Sequence, residues 1–175
     1  YGLVEKIIDI CNIKSIPVMV DPKGNDFMKY KNSFLVKPNK IELEKMTKIN
    51  IKDKNSLLRA SKLMLIESNL KMLVVTLSEN GILFMNKKKY FIMSTIESDV
   101  FDVSGAGDTV MSMLSYCITR SFEPLKMIRY CNSAASIVIN KFGTNFTNII
   151  EVEKNINNNN GKFKVTDRGS YKDIK

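Results

Sequence analysis

Ile16-Pro17-Val18-Met19-Val20-Asp21-Pro22 is the stretch on which the fold turns. Its apolar residues run without alternation and stop at an Asp-Pro turn. A strand with one wet face alternates, whereas a strand covered on both faces does not. The run therefore predicts a buried strand of a parallel sheet. Its surroundings agree. Leu3 to Ile13 carries Leu3, Val4, Ile7, Ile8, Ile10 and Cys11 at helical spacing. Phe34-Leu35-Val36 reads as a second short strand, and Pro38-Asn39 opens a helix through Met46. Residues 54–68 repeat the amphipathic pattern through Leu57, Leu58, Leu63, Leu65 and Ile66. Met72-Leu73-Val74-Val75-Thr76 is a third buried strand. Helices alternating with buried strands define an α/β class with a mainly parallel sheet.

The pattern then changes. Ser78-Glu79-Asn80-Gly81 is a turn, Ile82 to Met85 a strand, Lys87-Lys88-Lys89 a turn, and Tyr90 to Met93 a strand, which together predict an antiparallel meander. A helix with Val110, Leu114, Cys117 and Ile118 on one face follows, broken at Phe122-Glu123-Pro124. A last long helix lines up Leu125, Ile128, Cys131, Ala135, Val138 and Phe142 and stops at Gly143. A short helix is expected over 147–155. Residues 1–155 are expected to form the folded domain and 156–175 a polar, flexible tail.

Composition excludes several chemistries. The chain of 175 residues has no histidine, so a Ser-His-Asp triad, a Cys-His pair and a His-ligated metal within it are ruled out. Acid–base work falls to Asp, Glu, Lys, Tyr or Cys. The three cysteines, Cys11, Cys117 and Cys131, sit in apolar helical patterns and read as reduced structural thiols. The formal charge is +9, but the lysines are scattered, and their one tight run reads as a solvated turn, which argues against a nucleic-acid partner. A positive field still favours anionic ligands such as nucleotides. No apolar run approaches membrane length and no signal-peptide pattern opens the sequence, so a cytoplasmic protein without membrane attachment is expected.

Phe101-Asp102-Val103-Ser104-Gly105-Ala106-Gly107-Asp108-Thr109 carries the chemistry. Small residues at a helix start let main-chain N–H groups approach a ligand, and the helix dipole favours an anion there. Asp108 enters in the first turn, placed to take a proton from an accepting hydroxyl. Asp102 serves equally as a turn or cap carboxylate, and Thr109 is expected to hydrogen-bond locally. Asn39-Lys40-Ile41-Glu42 has capping-box spacing, which explains it structurally; the alternative is a magnesium-linked role through ordered water. Asp21-Pro22-Lys23-Gly24 is a tight turn or, alternatively, a way for Lys23 to reach a phosphate. Ligand sites in α/β sheets lie beyond the carboxyl ends of strands. Asp21, Asn39, Ser78 and Gly105 all follow strands and are expected on one such edge.

In this order the motifs resemble those of the ribokinase-like (PfkB) carbohydrate kinases over residues 1–155. Ser104 to Thr109 is similar to that family's C-terminal signature and Asn39 to Glu42 to its N-x-x-E motif. Val20 to Phe27, Lys37-Pro38-Asn39, Val75 to Gly81 and Lys141-Phe142-Gly143-Thr144 resemble the D-glycero-β-D-manno-heptose-7-phosphate kinase branch; Ser78 stands where most of the wider family has glycine. The resemblance implies a three-layer α/β/α kinase fold, seen as its C-terminal portion, with the first strands and the lid lying ahead of Tyr1. It implies ATP and Mg²⁺ as cofactors and a sugar phosphate as substrate, phosphorylated on its anomeric hydroxyl for lipopolysaccharide core synthesis. Asp108 would be the base, with Gly105, Ala106 and Gly107 as anion hole. Asn39, Lys40, Ile41, Glu42, Ser78, Gly81 and Asn132 would line the ATP site, with Asn39 and Glu42 towards magnesium. It also implies an N-terminal partner segment carrying the lid and allows a homodimer in a complete enzyme. Two alternatives stay open: a non-catalytic nucleotide-binding remnant of a split or degraded gene, and a related kinase for another sugar or nucleoside.

Overall fold

The computed structural model describes residues 2–95, 104–141, 143 and 145–174. Of the residues named above, Tyr1, Phe101, Asp102, Val103, Phe142 and Thr144 lie outside that set. The chain divides into two compact units. One comprises Tyr1–Leu77, Leu83–Phe91 and Arg168–Lys175; the other comprises Ser78–Ile82 and Ile92–Asp167.

Six strands pair in sequential order, β1 to β6. In the first unit α1 (Leu3–Ile13) leads to β1 (Met19–Val20) and β2 (Leu35–Val36). Helices α2 (Lys40–Thr47) and α3 (Lys54–Glu67) then lead to β3 (Met72–Thr76). The pairs β1–β2 and β2–β3 are parallel, with Met19 opposite Leu35 and Leu35 opposite Met72. Two of the three expected apolar runs are dry: Leu35 and Val36 of β2 and Leu73, Val74 and Val75 of β3 are buried. Met19 and Val20 of β1 are only half-buried and Ile16 is 50% exposed, so the first run is not covered on both faces. β1 is shorter than the run from Ile16 to Val20. The N–H of Ile16 turns back to donate to the carbonyl of Cys11 (2.8 Å), and Pro17 has no N–H to contribute.

β4 (Ile82–Asn86) and β5 (Lys89–Met93) follow. They are neighbours joined by two residues, and a parallel crossover needs about a dozen, so the pair is an antiparallel hairpin. The expected lysine turn is this loop: Asn86 Oδ1 accepts from the N–H groups of Lys88 and Lys89, each at 2.9 Å. β6 (Val165–Ser170) corrects the tail reading. Its residues run against β5: the N–H of Ser94 donates to the Lys164 carbonyl (3.0 Å), and the N–H of Tyr171 donates to the Lys88 carbonyl (3.3 Å).

In the second unit α4 (Ala106–Thr119) and α5 (Pro124–Ile139) pack together, and α6 (Ile149–Asn158) packs on α5. The expected stripes form this core. Val110, Leu114 and Cys117 on α4 and Ile128, Cys131 and Val138 on α5 are buried, whereas Leu125 is 43% exposed. No disulfide joins the cysteines among the described residues, and burial pushes the Cys117 thiol up to about 12. Among the described residues no helix is long and apolar enough to cross a membrane.

Candidate active site

The first unit supplies the start of α2. Asn39 stays extended, and its Oδ1 accepts from the N–H of Glu42 (2.8 Å) while Glu42 Oε2 accepts from the N–H of Asn39 (2.8 Å). This is the expected capping box, and it satisfies two first-turn donors with the helix's own side chains. The position is tied to the sheet as well, because the N–H of Thr76 donates to the Pro38 carbonyl (3.1 Å).

Asp21 and Glu42, the latter in the capping box with Asn39, are bridged there by one lysine. Lys23 Nζ lies 3.1 Å from Asp21 Oδ2 and 3.3 Å from Glu42 Oε1. Asp21 Oδ1 meets Lys37 Nζ at 2.9 Å. Partial burial pushes the Asp21 carboxyl up, but hydrogen bonds and charge from Lys37 and Lys23 outweigh it and hold the carboxyl below the ordinary range. Lys23 moves the other way, raised chiefly by its hydrogen bond to Asp21. Its main chain is clamped by one hydroxyl. Tyr30 Oη accepts from the N–H of Lys23 (2.9 Å) and donates to its carbonyl (3.0 Å). Lys40 and Ile41 are exposed on the first turn of α2. Among the described residues no cluster of three or more Cys, Asp or Glu side chains is arranged to hold a metal.

The second unit supplies the start of α4, which is built differently. Gly105 is its N-cap at φ +79°, a left-handed conformation that L side chains adopt at a cost, and this N-cap supplies no side-chain hydrogen bond. Ala106, Gly107 and Asp108 form the first turn, where main-chain N–H groups have no intrahelical acceptor. Asp108 is exposed. Thr109 does what was expected of it: its N–H and its Oγ1 both donate to the Gly105 carbonyl at 2.9 Å.

The second unit also holds the β3–β4 turn. Ser78 has φ +52°, a left-handed backbone, which is the physical reason a glycine suits this position. Gly81 has φ +93°, and a Cβ there would lie 1.9 Å from the Met93 carbonyl oxygen, so only glycine fits. Asn132 is 1% exposed on α5. Its Nδ2 donates to the carbonyls of Met93 (3.2 Å) and Ser94 (3.1 Å), and its buried Oδ1 has no partner among the described residues. Asn132 thus fixes the chain after β5 rather than presenting an amide at the surface. Sequence reasoning missed Lys37 and Tyr30. A lysine at a strand end is ordinarily solvated, and the only signal for its burial was its place directly after the apolar Leu35-Val36 pair.

Known proteins resemble this chain in sequence and fold. The model of the pfkB family carbohydrate kinases matches residues 3–151. The bifunctional protein HldE of Campylobacter concisus is 39% identical over 157 residues, covering 90% of this chain and 33% of that protein. HldE of Aliarcobacter butzleri is 38% identical over 150 residues, covering 86% of this chain and 31% of that protein. The chain therefore spans about a third of the length of these curated relatives. Among solved structures, Arabidopsis thaliana ribokinase complexed with ribose and ATP superposes with a TM-score of 0.81 at 19% identity, covering 88% of this chain and 52% of that one. Escherichia coli phosphofructokinase-2 in complex with potassium gives 0.80 at 20% identity, covering 86% and 50%. At such identities these structures speak for the fold alone, a mixed six-stranded α/β sheet with helices.

Proposed function

The chain belongs to the pfkB family of carbohydrate kinases, and from that membership we propose that it carries the phosphoryl-transfer machinery of an ATP-dependent heptose-phosphate kinase. The acceptor is the anomeric hydroxyl of D-glycero-β-D-manno-heptose 7-phosphate, and the product feeds lipopolysaccharide core synthesis in the cytoplasm. The observation that carries this reading is the small-residue start of α4, with a left-handed glycine as N-cap and the exposed Asp108 in its first turn. As the sugar oxygen attacks the γ-phosphorus, its proton passes to the Asp108 carboxylate, and the bond to the departing ADP oxygen breaks. Main-chain N–H groups of Gly105, Ala106 and Gly107 hold the charge on the migrating phosphoryl group.

Asn39 to Glu42 and Lys23 serve the nucleotide phosphates, and the Ser78–Gly81 turn lies against the nucleotide. Asn132 acts there by holding the chain at Met93 and Ser94. The carboxylate of Glu42 is already engaged with Asn39 and Lys23. That donor set fits a magnesium ion that arrives with the nucleotide and keeps its own water shell. When bound, the ion offsets phosphate charge.

The names of the HldE relatives support the heptose acceptor. A second reading, a nucleotide-binding piece that is inactive by itself, draws on the apolar stripe of α1. Leu3, Ile7 and Ile10 are 74%, 48% and 55% exposed, and β1 is the first strand of the sheet order. An apolar surface of that kind ordinarily has a partner, and an additional segment carrying the sugar lid would fill the role. Phosphotransfer measured with heptose 7-phosphate, ribose and fructose 6-phosphate, on this chain and on the longest natural polypeptide containing it, tests both. Turnover selective for the heptose supports the proposal. Selectivity for another acceptor replaces the substrate, and magnesium-ATP binding without turnover in either polypeptide favours the second reading.

A further inference from the structure

Lys37 directly follows β2, with its side chain 3% exposed, after Leu35 and Val36, which are buried. Its ammonium makes an ion pair of 2.9 Å with Asp21 Oδ1. Burying the lysine of such a pair, with Asp21 27% exposed, contributes little that a well-packed apolar side chain would not supply, because desolvation offsets the attraction. The pair therefore calls for an explanation other than packing.

The contacts beyond it provide one. The other Asp21 oxygen holds Lys23, whose side chain is 73% exposed; Lys23 also touches Glu42, and Glu42 closes the capping box on Asn39. With Lys37 balancing Asp21, the charge on Lys23 is not consumed by its nearer carboxylate. Without Lys37, Asp21 and Lys23 form a closed, neutral pair, and Lys23 is withdrawn from any phosphate beside α2.

We propose that Lys37 is a positioning residue for nucleotide binding: its buried ammonium orients and neutralises Asp21, so that Lys23 remains available to the nucleotide phosphates. This rests on the reading of the α2 start as a nucleotide contact. Lys37 itself touches no ligand, so its loss should raise the nucleotide KM and leave kcat nearly unchanged.

The test measures magnesium-ATP dissociation constants and melting temperatures for the wild-type protein, Lys37→Met, Lys37→Arg and the pair Lys37→Met/Asp21→Asn. The expected result is about a tenfold loss of affinity in Lys37→Met and recovery to within about threefold in Lys37→Arg, as suits a displaced charge–charge contact. The double variant, which leaves no buried charge unpaired, should regain the wild-type melting temperature without regaining affinity. If affinity follows melting temperature through the series, Lys37 is structural and the proposal is overturned. Unchanged affinity in a folded Lys37→Met overturns it as well and leaves the kinase reading standing. Absence of magnesium-ATP binding by the wild-type protein overturns that reading and this inference with it.

Discussion

Helix α2 begins with its own side chains folded over its first amides, and helix α4 begins with glycine, alanine and glycine. Both starts follow a strand, and both were candidates for phosphate contact. The difference lies in where the first-turn donors go. In α2, and again in α3 through Asp53 and Ser56, side chains supply the acceptors, and the helix start is complete as a folding device. In α4 the N-cap is a glycine, which has no side chain to supply an acceptor. A glycine N-cap gives up only a few tenths of a kcal/mol of capping stability, and under the proposed function the first-turn donors meet the migrating phosphate beside Asp108.

The largest effect that would sharpen the contrast is at Asp108. Asp108→Asn should lower kcat by roughly 10²- to 10⁴-fold with ATP affinity changed less than threefold, as read from steady-state phosphotransfer and direct binding. Retained turnover removes the base assignment. Next comes Gly105→Ala, which forces a Cβ into the left-handed cap at φ +79°. It should cost about 1–2 kcal/mol in chemical denaturation and reduce turnover too; a neutral result would show that the cap geometry is dispensable.

Smaller again is the pair Asn39→Ala and Ser56→Ala. Each removes half of a capping box, at about 1 kcal/mol. Only Asn39→Ala should also weaken nucleotide binding, and equal nucleotide affinity in the two would reduce α2 to a structural helix. The smallest effect is in acid. Asp21 titrates below its ordinary range in the folded protein, so its contribution to stability is complete above about pH 4 and fades as pH falls through the lowered native value. Lys37→Met should move the onset of that loss to higher pH in urea denaturation. An acid limb identical to that of the wild type would show that Lys37 does not hold the carboxyl.

Much of this was legible because local signals agree with the fold. α1 follows the apolar spacing from Leu3 to Ile13, and β3 is the unbroken run from Met72 to Thr76. The G-A-G-D stretch marks a helix start in residue type alone. β6 was illegible because Val165-Thr166-Asp167-Arg168-Gly169-Ser170 has no apolar alternation, and its pairing comes from β5, over seventy residues earlier. The stripe on α1 showed which face is apolar but not what covers it. Lys37 and Asn132 escaped for the same reason: their burial is decided by distant chain, namely Asp21 for one and the Met93–Ser94 carbonyls for the other.

The account stands on main-chain donors at the start of α4 gripping the phosphate chain of the nucleotide. Amide NMR of the isotopically labelled protein, titrated with magnesium and a non-hydrolysable ATP analogue, reads this directly. The Ala106 and Gly107 N–H resonances should shift strongly as the analogue saturates, while those of Asn55 and Ser56, already capped in α3, should stay in place. Saturation of the protein with Ala106 and Gly107 unmoved would contradict it.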